Sequence, residues 1–90
     1  MTNDNDDLTN NVFIGKNAGY KMEHGSYNIF LGHGAGEDLI ESNNLFILKS
    51  GDIEYRFQIT KEESEKFRIF IQKVINESLN KEIIYDKEDK

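Results

Sequence analysis

The apolar residues of the first half of the chain recur in short, evenly spaced groups. An aliphatic-Phe-aliphatic-Gly segment at residues 12–15 returns at residues 29–32, and an Ala-Gly pair follows each copy at the same distance. A third, shortened copy at residues 44–48 begins 16 positions after Asn28 and has Phe46 in the aromatic position. Fixed internal spacing predicts stacked structural units. Each unit contains a short strand that is apolar on both faces and ends at a glycine.

The second half of the chain changes to strict alternation and then to a helical period. Residues 53–59 alternate apolar and polar positions, which predicts a strand that pairs with residues 44–48 as a hairpin across a turn at 49–52. Thr60, followed three residues later by Glu63, forms a capping box that starts a helix. The apolar residues of this helix form one stripe at i, i+3 and i+4 spacing: Phe67, Phe70, Ile71, Val74, Ile75 and Leu79.

This stripe is predicted to cover the apolar face of the preceding strand. The face consists of Ile53, Tyr55, Phe57 and Ile59. We expect the helix to stop at Asn80 and a short strand to follow within residues 81–85.

The predicted fold class is α+β. It begins with a short-strand β-repeat of the β-helix or β-roll kind, intertwined in a homo-oligomer, and continues with a β-hairpin and one amphipathic C-terminal helix. The predicted segments are a flexible acidic arm at 1–10, glycine-rich β-repeats at 11–48, the hairpin strand and helix at 49–85, and a charged tail at 86–90.

Composition limits the possible partners. A chain of 90 residues buries only ~60–65% of its unfolded surface and is marginal alone. It has no cysteine, so partner chains are expected to contribute to its stability.

The formal net charge of −6 argues against DNA binding, and acidic residues interleaved with lysines favour a solubility surface over a nucleic-acid mimic. No apolar run predicts a membrane span, and residues 1–10 show no signal-peptide pattern.

The repeat carries a family resemblance. The pattern N-x-F-I-G-x-x-A-G, with a G-S-x-N lead into the second copy, is similar to the glycine-rich repeats of phage tail-fibre and trimeric adhesin shafts. The resemblance covers residues 11–48, and it implies an intertwined homotrimeric β-helix with strand side chains buried along the trimer axis. Those fibres carry many copies, whereas this chain has two and a half. The implied oligomer core is Phe13, Ile14, Phe30, Leu31 and Phe46.

The sequence shows no catalytic or metal-binding constellation, and we expect neither an enzyme nor a cofactor. His24 and His33 lie in different copies without clustered carboxylates, so solvated loop positions are favoured over metal ligation. The glycines at residues 32–36 are explained by the repeat better than by a dinucleotide fingerprint, which requires a βαβ context.

Binding is the remaining activity. In clefts between subunits, Lys, Arg and Tyr side chains can hold an anionic or aromatic ligand. Tyr20 and Tyr27 are favoured as packing residues at the repeat corners. The candidate ligand-binding residues are Lys16, Asn17, Tyr20, Tyr27, His33 and Arg56.

Two functional hypotheses remain. The first is a non-catalytic, homo-oligomeric phage protein, with a trimer favoured, that has a structural or binding role. The second is a small phage anti-defence protein that sequesters a host signalling nucleotide or blocks a host defence protein. The expected location is the host cytoplasm or the virion. Stacked repeats further predict that Phe13 and Phe30 lie in contact, one repeat apart, with Phe46 continuing the line.

Overall fold

The computed structural model describes residues 8–85, which form short strands and one C-terminal helix. The elements are β1 Leu8–Thr9, β2 Val12–Ile14, β3 Gly25–Ser26, β4 Ile29–Leu31, β5 Leu45–Ser50, β6 Ile53–Gln58 and α1 Lys61–Tyr85. One sheet has the order β2-β4-β5-β6, and a second sheet pairs β1 with β3. The predicted α+β class is confirmed. The end of the predicted acidic arm forms β1, whereas residues 1–7 and the predicted tail at 86–90 lie outside the described residues.

The copies of the repeat stack in parallel with a constant offset of 17 residues. Phe13 of β2 pairs with Phe30 of β4, and Phe30 pairs with Ile47 of β5. Stacking of the first two copies is confirmed, but the third copy is displaced by one residue from the sequence alignment. Phe46 pairs with Ile29 and lies on the opposite face of the sheet. The prediction that Phe46 continues the line of Phe13 and Phe30 is therefore wrong.

The displacement arises because Asn44 does not have the role of Asn28. Asn10, Tyr27 and Asn44 follow one another at 17-residue intervals and have φ angles of 57°, 61° and 57°. Asparagine tolerates this left-handed conformation better than most residues. Asn44 is thus the corner residue before its strand, and Leu45 takes the position that Asn28 has in the second copy.

The core lies on the inner face of the four-stranded sheet, which we define by Phe13, Phe30 and Ile47. The two phenyl rings stack with centroids 4.8 Å apart, which confirms the predicted contact within one chain. A Cβ atom at Gly19 would lie 2.7 Å from the ring of Phe13, and one at Gly36 would lie 2.6 Å from the ring of Phe30. The repeated glycine therefore provides the space that the repeated aromatic ring occupies.

Asn28 is a buried polar residue that ties the three copies together. Its Nδ2 group donates to Asn11 Oδ1 at 3.0 Å and to the Ser42 carbonyl at 2.8 Å. Its Oδ1 atom accepts from Ser42 Oγ at 2.9 Å and from the Leu45 backbone N–H at 3.1 Å. Because both ends of the amide are satisfied, the side chain can be fully buried at low cost.

Strands β5 and β6 form the predicted hairpin. Ser50 pairs with Ile53, so the connection consists of Gly51 and Asp52 rather than four residues. Gly51 has a φ of 59°, which suits the first central position of a two-residue hairpin turn.

Helix α1 begins where the sequence predicts. The Glu63 backbone N–H donates to Thr60 Oγ1 at 3.0 Å, and the Thr60 backbone N–H donates to the Glu63 carboxylate at 2.8 Å, which confirms the capping box. The helix continues to Tyr85, so the predicted stop at Asn80 and the predicted strand within residues 81–85 are wrong. Asparagine is only mildly unfavourable in a helix, and neither glycine nor proline follows it to break the helix.

The first turns of α1 attach the helix to its own sheet. Ser64 is fully buried, and its Oγ donates to the Tyr27 carbonyl at 2.9 Å. The ring of Phe67 packs edge-on against Phe46 at 5.3 Å between centroids. The outward position of Phe46 thus gives the helix an aromatic contact on β5.

The apolar face of β6 stays open. Ile53, Tyr55 and Phe57 are 59%, 58% and 48% exposed, so the prediction that the helix stripe covers this face is wrong. The physical reason is that the helix packs on Phe46 of β5, one strand away from β6.

Candidate interaction surface

The outer face of the four-stranded sheet consists of apolar rows. Since side chains alternate along each strand, the register places two rows on this face. One row is Val12, Ile29, Phe46 and Phe57, and the other is Ile14, Leu31, Leu48 and Tyr55. The charged residues of β6, Glu54 and Arg56, belong to the inner face, so neither row contains a charge.

Four aromatic rings connect the helix to the hairpin across this face. Phe67 lies 5.3 Å from Phe46, Phe46 lies 6.3 Å from Phe57, and Phe57 lies 6.3 Å from Tyr55, measured between ring centroids. These distances are in the range of favourable aromatic contacts. The start of the helix stripe and the open face of β6 are therefore joined by aromatic contacts.

Much of this area is solvent-exposed in the single chain. Nine large apolar side chains, which we call the apolar surface, are involved: Ile14, Leu48, Ile53, Tyr55, Phe57, Phe70, Val74, Ile75 and Leu79. Their exposed fractions run from 37% for Ile75 to 66% for Leu79. At ~100 Å² each, about half the area that a large side chain buries, they expose roughly 900 Å². Patches on monomeric proteins rarely exceed ~300–600 Å², and larger ones mark interaction sites.

Arg56 forms a charged network on the inner side of the sheet. It pairs with Ile47 across the hairpin and is therefore the next side chain after Phe13, Phe30 and Ile47 in the inner row of the sheet. Its Nη2 donates to Asp38 Oδ1 at 3.0 Å, and its Nε donates to Glu54 Oε2 at 2.5 Å. The hydrogen bond from Arg56 lowers the pKa of Asp38, and the hydrogen bond to Glu54 raises the pKa of Arg56. These pairs lie near the solvent, since the side chain of Asp38 is 73% exposed.

Two of the predicted ligand-binding residues, His33 and Arg56, lie at neighbouring depressions. Lys16, Asn17 and His33 are exposed in the loops that follow β2 and β4. His33 lines a shallow depression with Glu37 and Lys49, and Arg56 lines a neighbouring one that shares both residues. The charged side chains that line the second depression are Lys21, Lys49, Arg56, Glu37, Asp38 and Glu54. Positive and negative charges balance there, and ligand binding by these residues stays a prediction.

The two candidate tyrosines lie apart from these depressions. Tyr20 is 68% exposed. Tyr27 lies before β4, with the ammonium group of Lys61 5.2 Å from its ring centroid and its carbonyl accepting from Ser64. Tyr27 therefore helps to hold the start of the helix. The six predicted residues do not converge on a single site.

The five residues predicted for an oligomer core divide between the two faces. Phe13 and Phe30 are on the inner face, and Phe30 is fully buried within its own chain. Ile14, Leu31 and Phe46 are on the outer face, where Ile14 is 40% exposed. The outer face is thus the part of this set that a partner chain can reach.

The exposure of β6 and of the helix stripe is not predicted from the sequence. Both apolar patterns are visible there, and the prediction pairs each with the other. Length gives no signal against that pairing, because the stripe from Phe67 to Leu79 spans ~18 Å and the six-residue strand β6 spans ~20 Å.

No group of three His, Asp or Glu side chains within the described residues is arranged to hold a metal ion. The described helix is not apolar enough over sufficient length to cross a membrane. Comparisons with protein-family models, curated proteins and solved structures give no match. The apolar surface is therefore the feature of this molecule that bears on its function.

Proposed function

We propose that this protein is a non-catalytic homo-oligomer with a structural or binding role in a phage, built on tail-fibre-like β-repeats. The observation that carries the proposal is the apolar surface of roughly 900 Å², estimated from half-exposed large side chains. Stable complexes bury ~800 Å² on each partner, so a second copy is an adequate cover. The resemblance of residues 11–48 to fibre repeats favours three copies.

The small core of one chain supports this proposal. Among the described residues, the buried apolar side chains are Met22, Ile29, Phe30, Ala35 and Ile47. A chain of this size without disulfides usually needs further stabilisation, and oligomerisation is one of its common sources. Covering the apolar surface would bury an apolar area similar to that of these five side chains.

The stacked repeats support a shaft-like role. Copies pair in parallel and in register, with an aromatic ring against a glycine in each of the first two. This arrangement suits a short β-helix or β-roll segment, and intertwining of neighbouring chains around it belongs to the proposal. Since Phe13 and Phe30 are packed inside one chain, we place the oligomer axis along the outer face instead.

The molar mass in solution tests the proposal. Light scattering coupled to size exclusion is expected to give three times the 10.5 kDa mass of the chain. Tyr55→Lys places a charge on the apolar surface and should shift the mass toward that of the monomer. Asp52→Lys, an exposed change in the adjacent turn, is the matched control and should leave the mass unchanged. A folded monomer at micromolar concentration for the parent protein would contradict the proposal.

A further inference from the structure

We infer that the copies exchange helices: the distal part of α1 of one copy packs on the outer face of β5 and β6 of a second copy. This inference rests on the proposed self-association and specifies its contact. On the helix the contacting residues are Ile71, Ile75 and Leu79, which follow one another at i, i+4 spacing on one face. On the receiving sheet they are Leu48, Ile53 and Tyr55.

The start of the helix is fixed to its own sheet. Ser64 Oγ donates to the Tyr27 carbonyl, and Phe67 packs on Phe46. Beyond this attachment, Phe70, Val74 and Leu79 are 65%, 43% and 66% exposed. The sheet to which the helix is attached therefore leaves the distal part of the stripe uncovered.

The helix is longer than the sheet to which it is attached. A helix of 25 residues is ~37 Å long, whereas four strands spaced ~4.8 Å apart make a sheet only ~15 Å wide. The longest dimension of the molecule is 55 Å. Kinks arise almost always at proline, glycine–serine pairs or bulges, and the helix contains neither proline nor glycine. It is not expected to bend back over β6.

The sheet leaves a complementary site open. Ile53 and Tyr55 are each more than half exposed, and Leu48 is 40% exposed beside them. An apolar sheet face is normally covered by a helix or by another sheet. Sheet-to-sheet packing of two copies would cover β6 but leave the distal helix stripe exposed. Helix exchange covers both surfaces with one repeated contact, which can close around a dimer or a trimer.

The absence of cysteine from the chain allows a direct test. Tyr55→Cys and Leu79→Cys proteins are refolded together and oxidised, and the cross-linked products are identified by mass spectrometry. Because each chain carries one thiol, every cross-link joins two copies. Helix exchange predicts that the mixed disulfide is the main product. Glu77→Cys, an exposed position on the opposite side of the helix from Leu79, replaces Leu79→Cys as the control and should give little mixed product.

The outcomes separate this inference from the proposed function. Oligomers that yield mainly Tyr55→Cys homodisulfides would show sheet-to-sheet packing and overturn helix exchange while leaving self-association intact. A monomeric parent protein would overturn both. If either cysteine variant fails to assemble, isotope-filtered NOEs in a mixture of labelled and unlabelled parent protein give the same answer. Contacts between the Tyr55 ring and the Leu79 methyl groups of different copies are expected, and their absence in an intact oligomer would refute the exchange.

Discussion

Replacing Phe30 with alanine should destabilise the protein more than any other single truncation in the stacked repeats. Phe30 is fully buried, its ring stacks on Phe13 at 4.8 Å, and Ile47 follows it in the next copy. It is the middle member of the inner row, so its loss removes a contact from both neighbours. Gly36, whose missing side chain makes room for the ring, would be left beside a cavity.

The expected cost is ~3–5 kcal/mol, the usual range for truncating a buried phenylalanine. The loss of a stacked aromatic pair accounts for ~0.5–1.5 kcal/mol of interaction beyond area burial. A domain of this size has a total unfolding free energy of ~5–13 kcal/mol. Phe30→Ala thus removes a large fraction of the stability of the folded chain, and through it of any assembly that the chain forms.

Thermal unfolding followed by circular dichroism over a range of protein concentrations measures this effect. The variant should melt at a lower temperature than the parent and show a stronger dependence on concentration. Phe13→Ala should cost less, because Phe13 is only partly buried and has a single neighbour in the row. Tyr20→Ala, at a residue that is 68% exposed, is the control. Parent-like melting of Phe30→Ala at every concentration would refute the stacking argument.

Three further predictions concern backbone, charge and capping. Gly36→Ala should lower the unfolding free energy measured in urea more than Gly51→Ala does. Both residues have positive φ, which costs alanine ~1–2 kcal/mol, but at Gly51 the new methyl group meets open space. Equal losses would contradict ring packing at residue 36. The pKa of Asp38 is lowered from 3.8 by its hydrogen bond to Arg56. The stability that this carboxylate contributes is therefore present above pH 3.8 and is lost as the pH falls through the lowered pKa. In Asp38→Asn the unfolding free energy should fall less steeply with pH in this acidic range, and an unchanged slope would show that the pair is not formed. Thr60→Ala should lower the unfolding free energy by ~0.5–2 kcal/mol through loss of the cap, whereas Thr60→Ser should retain most of it, and equal losses would exclude capping.

The elements that are determined by residues close together in the sequence or by the repeat spacing were predictable from the sequence. The first two repeat copies carry the ring, the glycine that accommodates it and the asparagine that joins the copies, so the spacing alone predicts their stacking. The capping box and the alternation of β6 depend on neighbouring residues, and both were found as expected. Residues 81–85 were mistaken for a strand because β-branched residues indicate strands only weakly against the continuation of a helix that has already formed.

The candidate surface was less predictable because apolar periodicity does not specify which element will cover it. The stripe on α1 and the open face of β6 are both apolar, and a sequence cannot show whether two such surfaces meet within one chain or between two chains. In this chain the attachment of the helix at Ser64 and Phe67 determines that the two surfaces do not meet. Neither contact has a signature in the sequence, since one is a hydroxyl bonded to a distant carbonyl and the other depends on the register of β5.

The register of β5 determines which side chains of the third copy face the core and which face outward. Asparagine has two roles in the first copies. Asn10 is a corner residue with positive φ, whereas the half-buried Asn11 and the fully buried Asn28 join the copies through their amides. An alignment that treats Asn44 as a third buried amide shifts the last copy by one residue, and a shift of one residue exchanges the two faces of a strand. In the shifted arrangement, Phe46 would enter the inner row and Phe67 would lose its aromatic partner. The observed register instead turns Phe46 outward, where it attaches the helix and begins the line of rings that leads to Tyr55. The surface proposed for self-association thus depends on a single residue of offset in the third copy.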